Sequence, residues 1–402
     1  MTTINKSAKI LVIGGSSLDT HTIKGKDHSS PGGAGLYTAL AAAKSGADVT
    51  LLAPFPSPVP ATLLEFSAHV KWIGPEVSHD ELPRFHIVHA NGETKYKRSF
   101  FGAEGAMTAE DLPDDFSEYD LVHLVPLGNT IKQLEFINIC RKRNAELISA
   151  GTGKPLIEQE PELVKDVIQA SDIFFMNEEE ANAVFPENTE FRFATGKHIF
   201  VTKGKNGASV FLGEYQYLLD PKQVNVLDPT GAGDAFCGAT ISGIAQGEHP
   251  VKAAMSASVL ASEVIKAVGP EKLYIKSKIR TNKINARVLV NHDQVQQTAK
   301  LISGFEAEKP YNFIDSTLPP LTHPLTVEYF FVTVLQQFSF WSSREKHYHL
   351  PLISEIGGNE LKGAFYLFMA YKQKLDEDPN FFLAERQAEL TLNELRQLFL
   401  SD

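Results

Sequence analysis

The sequence predicts an α/β fold: a parallel-sheet core with helices on both faces and a small β element, followed by a mainly helical C-terminal domain. Three observations carry this reading. Near-continuous apolar runs such as Lys9-Ile10-Leu11-Val12-Ile13, closed by Gly14-Gly15, read as strands buried on both faces. Such runs alternate with helical stretches as far as Thr202, the pattern of βαβ units and a parallel sheet. Beyond Val288 the alternation gives way to helical texture.

Bulk properties narrow the possibilities. At 402 residues the chain exceeds one usual core, so two domains are expected, with a boundary near Tyr274. A net charge of −11 argues against a general nucleic-acid or anionic-membrane surface but leaves room for a local phosphate pocket. Cys140 and Cys237 lie far apart and lack CxxC spacing, so neither a disulfide framework nor a zinc site is suggested. The sequence from Met1 to Lys6 leads into a strand without a signal-peptide core, and no apolar run is long enough to span a bilayer. A cytoplasmic location is expected.

Taken in order, residues 9–13 form the first strand, and Asp19 follows just past its C-terminal end. Ligands bind at that end in open α/β sheets, although a turn or cap aspartate would look the same. Pro31-Gly32-Gly33-Ala34-Gly35-Leu36-Tyr37 then opens an Ala-rich helix from Thr38 to Ser45. A glycine-rich entry suits close approach of a ligand. It is not the dinucleotide fingerprint, because Thr38 stands at the third glycine of GxGxxG. Residues 48–53 read as the next strand, and 84–89 and 93–100 as a hairpin across Asn91-Gly92. Further strands are expected at 121–125, 147–150, 173–176 and 198–202. Gly151-Thr152-Gly153-Lys154-Pro155 only looks like a Walker fragment, since Ile148 fills the upstream glycine position and Pro155 replaces Ser/Thr. An Ala- and Ser-rich helix from Val251 to Val268 closes the region.

Three stretches carry candidate chemistry. Asn177-Glu178-Glu179-Glu180 follows a strand; carboxylates favour a helix start, and one glutamate acting through water also suffices for magnesium. Thr202-Lys203-Gly204-Lys205-Asn206-Gly207 is a strand end entering a glycine turn, which by itself reads as a hairpin. Asp228-Pro229-Thr230-Gly231-Ala232-Gly233-Asp234-Ala235-Phe236 is more specific. An extended run, Gln223 to Leu227, leads in, and a small-residue helix over 238–245 follows. Strand, glycine turn and helix make an anion site from converging amides and the positive helix end. A carboxylate at Asp234, inside that cradle, suits a base taking a proton from a hydroxyl as a phosphoryl group transfers. A glycine loop with an N-capping aspartate is the plainer alternative.

The full nonapeptide resembles the signature of the ribokinase-like (PfkB) family of sugar and nucleoside kinases, and the resemblance spans residues 1–274. It implies Asp234 as catalytic base and the amides of Gly231, Ala232 and Gly233 as the anion hole. Asp19, Gly32, Gly33 and Gly35 match the elements that hold acceptor hydroxyls. Tyr37 stands where the family usually has Asn, leaving two roles open: stacking on a base, or filling space. The hairpin corresponds to a substrate lid, often shared in a homodimer. Asn177 and Glu180 match the element near the phosphates and Mg2+, while Thr202, Lys203, Gly204, Gly207 and Asp228 fall on the nucleotide side. The expected activity is ATP-dependent phosphorylation of a nucleoside or sugar hydroxyl.

Residues 275–402 read differently. Lys276, Lys278, Arg280, Lys283 and Arg287 form a basic run best taken as a linker or solvated helix face. Helices are expected over 288–302, 325–338, 361–375 and 393–400, with Pro324 before the second. His347-Tyr348-His349 lacks the carboxylates of a metal pair. Phe338-Ser339-Phe340-Trp341, the helix start at Gly363 and the stretch 390–402 resemble the N-terminal part of the queuosine salvage family, which hydrolyses the N-glycosidic bond of queuosine 5′-phosphate. Ala364-Phe365 departs from that family's aromatic pair, and its later catalytic carboxylate is not matched, so no hydrolase activity is expected. A remnant, or a region completed by a glycosidase partner chain, are the two readings. A kinase making the nucleoside 5′-phosphate fits the pairing; a sugar kinase with an appendage and an idle scaffold are the alternatives.

Overall fold

A computed structural model describes residues 7–90, 93–185, 197–212, 215–274 and 286–289. Two compact units divide the chain: the first comprises 1–191, 197–210 and 219–285, the second 192–196, 211–218 and 286–402.

The first unit begins with β1 (Lys9–Ile13), then β2 (Ser17–Ile23) and β3 (Lys26–Gly32), α1 (Ala34–Lys44), β4 (Asp48–Leu52), β5 (Phe55–Pro56) and α2 (Ala61–Ser67). β6 (Lys71–Ile73), β7 (Glu76–Val77), β8 (Arg84–Ala90), β9 (Glu93–Phe100) and β10 (Leu121–Leu124) follow. Strands and helices then alternate through α3 (Thr130–Lys142), β11 (Ile148–Gly151), α4 (Lys154–Gln159), α5 (Pro161–Ala170), β12 (Ile173–Asn177), α6 (Glu178–Val184) and β13 (His198–Thr202). After β14 (Ala208–Leu212) and β15 (Tyr215–Leu219) come α7 (Ala232–Ala245), α8 (Pro250–Val264) and α9 (Glu271–Tyr274). Most of β15 belongs to the second unit, together with β16 (Ala286–Leu289).

Parallel pairing runs in the order β6-β4-β1-β10-β11-β12-β13. The chain leaves β1 for β4 and β6 on one side, then returns to β10 on the other. The C-terminal ends of β1 and β10 therefore flank a topological switch point, where open α/β sheets bind ligands. Full burial of Leu11, Val12, Ile13, Leu121 and Leu124 explains why these strands read as unbroken apolar runs. Small residues let α7 pack between α1 and α8. A β-carbon on Gly238 would stand 2.1 Å from the Thr38 carbonyl oxygen, and one on Gly243 2.7 Å from Ala253 Cβ.

A second sheet, in the order β3-β2-β8-β9, forms the lid. The hairpin β8/β9 is the expected one. β2 and β3 are additional: Lys24 (φ 50°) and Gly25 (φ 76°) turn them into a hairpin, and β2 then pairs in parallel with β8. Asp19 thus lies within a lid strand rather than in a loop after β1. The extended run at 223–227 is not a strand. Leu227 and Asp228 donate their amides to the Ile265 carbonyl instead of to a ladder, and Val226 and Leu227 remain exposed. The expected helix at 288–302 begins instead within β16, which takes in residues 288 and 289; its remainder, the helices over 325–338, 361–375 and 393–400, the basic run at 276–283, and His347 with His349 lie outside the described residues. Among the described residues, no helix is long and apolar enough to cross a membrane.

Candidate active site

The glycine turn leads into the first turn of α7, where Asp234 lies. Gly231 caps α7 in the left-handed region (φ 74°, ψ 4°), a conformation glycine adopts without strain. The ring of Tyr37 closes on it from below: a β-carbon at 231 would lie 2.3 Å from Tyr37 Cδ1 and Cε1. Tyr37 is 1% exposed, so it fills space between the two glycine turns and presents no face for stacking on a base. Its hydroxyl has no hydrogen-bond partner, and burial together with Asp228, Asp19 and Asp234 drives its pKa far up. Gly233 differs from Gly231. A β-carbon there would meet nothing within 4 Å, so the fold sets no demand for glycine at that position. The Ala232 amide donates to the Pro229 carbonyl at 3.3 Å, which leaves Gly231 and Gly233 as the first donors for an anion.

Asp234 occupies the third position of α7, partly buried, and desolvation raises its carboxyl to about 6. At neutral pH it is ionised, yet far more basic than an exposed aspartate. Thr38 Oγ1 donates to its carbonyl at 3.3 Å and ties the start of α7 to α1.

The residues expected to hold the acceptor gather around Asp19. Asp19 is buried, its pKa raised to about 6 by desolvation, and its Oδ1 accepts the Phe85 amide of β8 at 3.2 Å. Gly32 is obligatory beside it: a β-carbon would come 1.9 Å from Asp19 Oδ2. Gly33 (φ 92°) caps α1 and packs on Gly15 to Ser17, while Gly35 packs on the Gly14 carbonyl. This places the glycine-rich entry of α1 against the C-terminal end of β1, at the switch point.

Of the residues expected on the nucleotide side, Asn177 and Glu180 form a capping box on α6. Glu180 accepts the Asn177 amide at 2.8 Å, and Asn177 Oδ1 accepts the Glu180 amide at 2.9 Å. Desolvation, with a contribution from Asp234, raises Glu180 to about 7, so these two carboxyls lie within electrostatic reach. Thr202 pairs with Asn177 across β12 and β13. Lys203, Gly204 and Gly207 continue from Thr202 as a tight turn closed by the Lys203 amide on the Gly207 carbonyl at 2.8 Å. They sit with Asn177 at the C-terminal ends of β12 and β13. Gly207 (φ 86°) is further required by the Leu219 carbonyl, 2.0 Å from a β-carbon there.

Sequence reasoning passed over several residues that the fold brings in. Glu104, buried and raised to about 7 by desolvation, accepts the Gly15 amide at 2.7 Å. Tyr96 of β9 is exposed at 62%, yet its hydroxyl is pushed up to about 12 by local desolvation and by Asp234, Asp19, Glu180 and Asp228, so it shares their field. His21, His89 and Thr230 gather around Asp228. Their separations in sequence, up to 207 residues between His21 and Asp228 (228 − 21), explain why no local spacing signalled them.

Residues 7–278 match the family described as pfkB family carbohydrate kinase. The chain belongs to that family. As a pfkB kinase it is a phosphotransferase with an alcohol acceptor, and ATP use follows from membership. The cytidine kinase of Thermococcus kodakarensis is 24% identical over 270 residues, covering 65% of this chain and 97% of the relative. The ribokinase of Bacillus subtilis is 25% identical over 229 residues, covering 54% and 75%. Among solved structures, the nucleoside kinase of Methanocaldococcus jannaschii superposes with a TM-score of 0.54 at 21% identity, covering 67% of this chain and 98% of that one. Ribokinase from Cryptococcus neoformans in complex with ADP gives 0.57 at 18% identity, covering 67% and 97%. These likenesses establish the ribokinase-like fold of this pfkB kinase.

Proposed function

We propose that this kinase phosphorylates a hydroxyl of a nucleoside, with Asp234 as the base. The observation that carries the chemistry is the raised carboxyl of Asp234 at the start of α7, one turn of chain from the Gly231 cap. Asp234 takes the acceptor hydroxyl's proton as the hydroxyl oxygen attacks. The amides of Gly231 and Gly233, with Ala232 between them, hold the charge that develops on the phosphoryl group. Asp19 and the Gly32-Gly33 turn orient the acceptor, so the reaction needs little beyond positioning and charge. Asn177, Thr202, Lys203, Gly204 and Gly207 border the nucleotide side. Asp228 fixes the loop ahead of the cradle by accepting the Thr230 amide at 2.9 Å and the Gly269 amide at 3.1 Å.

Burial first, and then the neighbouring charges of Asp234 and Glu179, raise the Glu180 carboxyl, and a carboxylate in such company fits a divalent cation held by Glu180, directly or through water. Magnesium, when bound, supplies positive charge against the phosphates of ATP.

For the acceptor, support comes from the relatives named cytidine kinase and nucleoside kinase. The resemblance of 338–402 to the queuosine salvage family adds queuosine as a specific candidate, with a glycosidase as the companion activity. Pairing of two copies through the lid belongs to the same reading; Tyr96, Phe100 and Phe101 are its exposed aromatics. ATP consumption measured across cytidine, adenosine, inosine, queuosine, ribose and fructose tests the acceptor. Turnover on nucleosides supports it; turnover on ribose or fructose alone ends it, and no ATP consumption at all with any of them favours the idle scaffold.

A further inference from the structure

We infer that His21, His89 and Asp228 form a binding site for a transition-metal ion of the zinc class, fastening two lid strands to the loop that precedes the anion cradle. One ligand atom from each residue lies within 4.8 Å of the others. Nδ1 of His21 is 3.1 Å from Asp228 Oδ2, and Nε2 of His89 is 3.1 Å from Asp228 Oδ1. Ligand atoms about 2.0–2.2 Å from a tetrahedral ion stand roughly 3.3–3.5 Å apart, close to the two 3.1 Å contacts, and the two imidazole nitrogens, within 4.8 Å, must draw together to admit one.

The contacts are poorly explained by protons alone. His21 is fully buried, yet neither of its ring nitrogens has a hydrogen bond of acceptable direction, despite the short approach to Asp228. A buried imidazole with no directed bond is costly unless another group takes its lone pair. The outer contacts are those of ligands. Nδ1 of His89 is 3.1 Å from Thr94 Oγ1, so a proton placed there turns the Nε2 lone pair toward Asp228. The carboxylate is itself fixed by the amides of Thr230 and Gly269. Thr230 Oγ1, 3.1 Å from His89 Nε2, borders the remaining coordination position. Two imidazoles and one carboxylate favour zinc, cobalt or nickel over magnesium, which prefers an all-oxygen shell. β2 supplies His21, β8 supplies His89, and the cradle loop supplies Asp228.

The test titrates the full chain, stripped of metal and free of nucleotide, with Zn2+ and Co2+. The expected result is one equivalent bound per chain, with the visible absorption of four-coordinate cobalt and a raised thermal midpoint. His89→Ala should abolish the cobalt spectrum, and Thr94→Val, at an exposed position, should weaken affinity by about 10- to 100-fold. His21→Gln serves as a second ligand variant. Absence of saturable binding overturns the proposal. So does a cobalt spectrum that survives in both His89→Ala and His21→Gln, because the ion would then sit elsewhere.

Discussion

Tyr37 and Gly231 are in such close contact that the glycine has no room for a side chain: a β-carbon would stand 2.3 Å from the ring. An aromatic residue on α1 thereby sets the height of the glycine turn that opens α7. Gly231→Ala should cost several kcal/mol, from the left-handed backbone and the clash together, and show as a lowered Tm with lost turnover. Tyr37→Phe should be neutral or stabilising by up to about 1 kcal/mol, since the hydroxyl it removes is buried without a partner. A large loss of stability in Tyr37→Phe would contradict the packing role.

Gly233 provides the contrast. With open space around its β-carbon and a place in the first turn of α7, Gly233→Ala should keep or raise stability, by up to about 1 kcal/mol from helix propensity. Turnover should nevertheless fall, because the added methyl occupies the approach to the amides. Chemical denaturation and steady-state kinetics on one preparation separate the two effects.

Asp234→Asn should lower kcat by about 10²- to 10⁴-fold with little change in ATP binding. The pH dependence has a definite sign. Asp234 acts when ionised, so kcat/KM should rise through about pH 6 and level off above it, and the Asn variant should lose that limb. Stability moves the other way. A carboxyl raised above its unfolded value favours the folded state at low pH, and that advantage disappears as pH climbs from about 4 to about 6. At neutral pH the Asn variant should therefore be more stable, by about 1–3 kcal/mol, giving an inactive protein with a higher Tm.

The capping box on α6 makes a separable prediction. Asn177→Ala removes one reciprocal bond and should cost about 1 kcal/mol. If Glu180 also holds a divalent cation, Glu180→Gln, which keeps an acceptor for the Asn177 amide, should weaken magnesium dependence while leaving stability nearly intact. Equal magnesium titration curves for Glu180→Gln and the parent chain would remove Glu180 from that role.

Much of this architecture was legible in the residues. Runs such as 9–13 and 173–176 announce themselves because burial on both faces leaves no polar position to interrupt them. The motif at 228–236 marked the start of α7 because glycine and aspartate each have a local reason to be there. Gln223 to Leu227 misled for a related reason: Val224, Val226 and Leu227 carry strand propensity, but propensity does not supply a partner strand. β2 escaped notice because its Thr and His residues alternate around a half-buried sheet, not an apolar core. The site divided along the same line. Asp19, Gly32, Gly231 and Asp234 are local signals, whereas Glu104 on Gly15 and the two histidines at Asp228 exist only after distant segments fold together.

Asp19 rides on β2, and Gly32 on β3, so the clasp proposed for the incoming alcohol is carried by the cover and not by the floor beneath it. Any swing of that four-stranded flap as a body withdraws the clasp in the same stroke, while Asp234 stays with the core. On the proposed roles, admission of the next molecule and surrender of the last become mechanically one event.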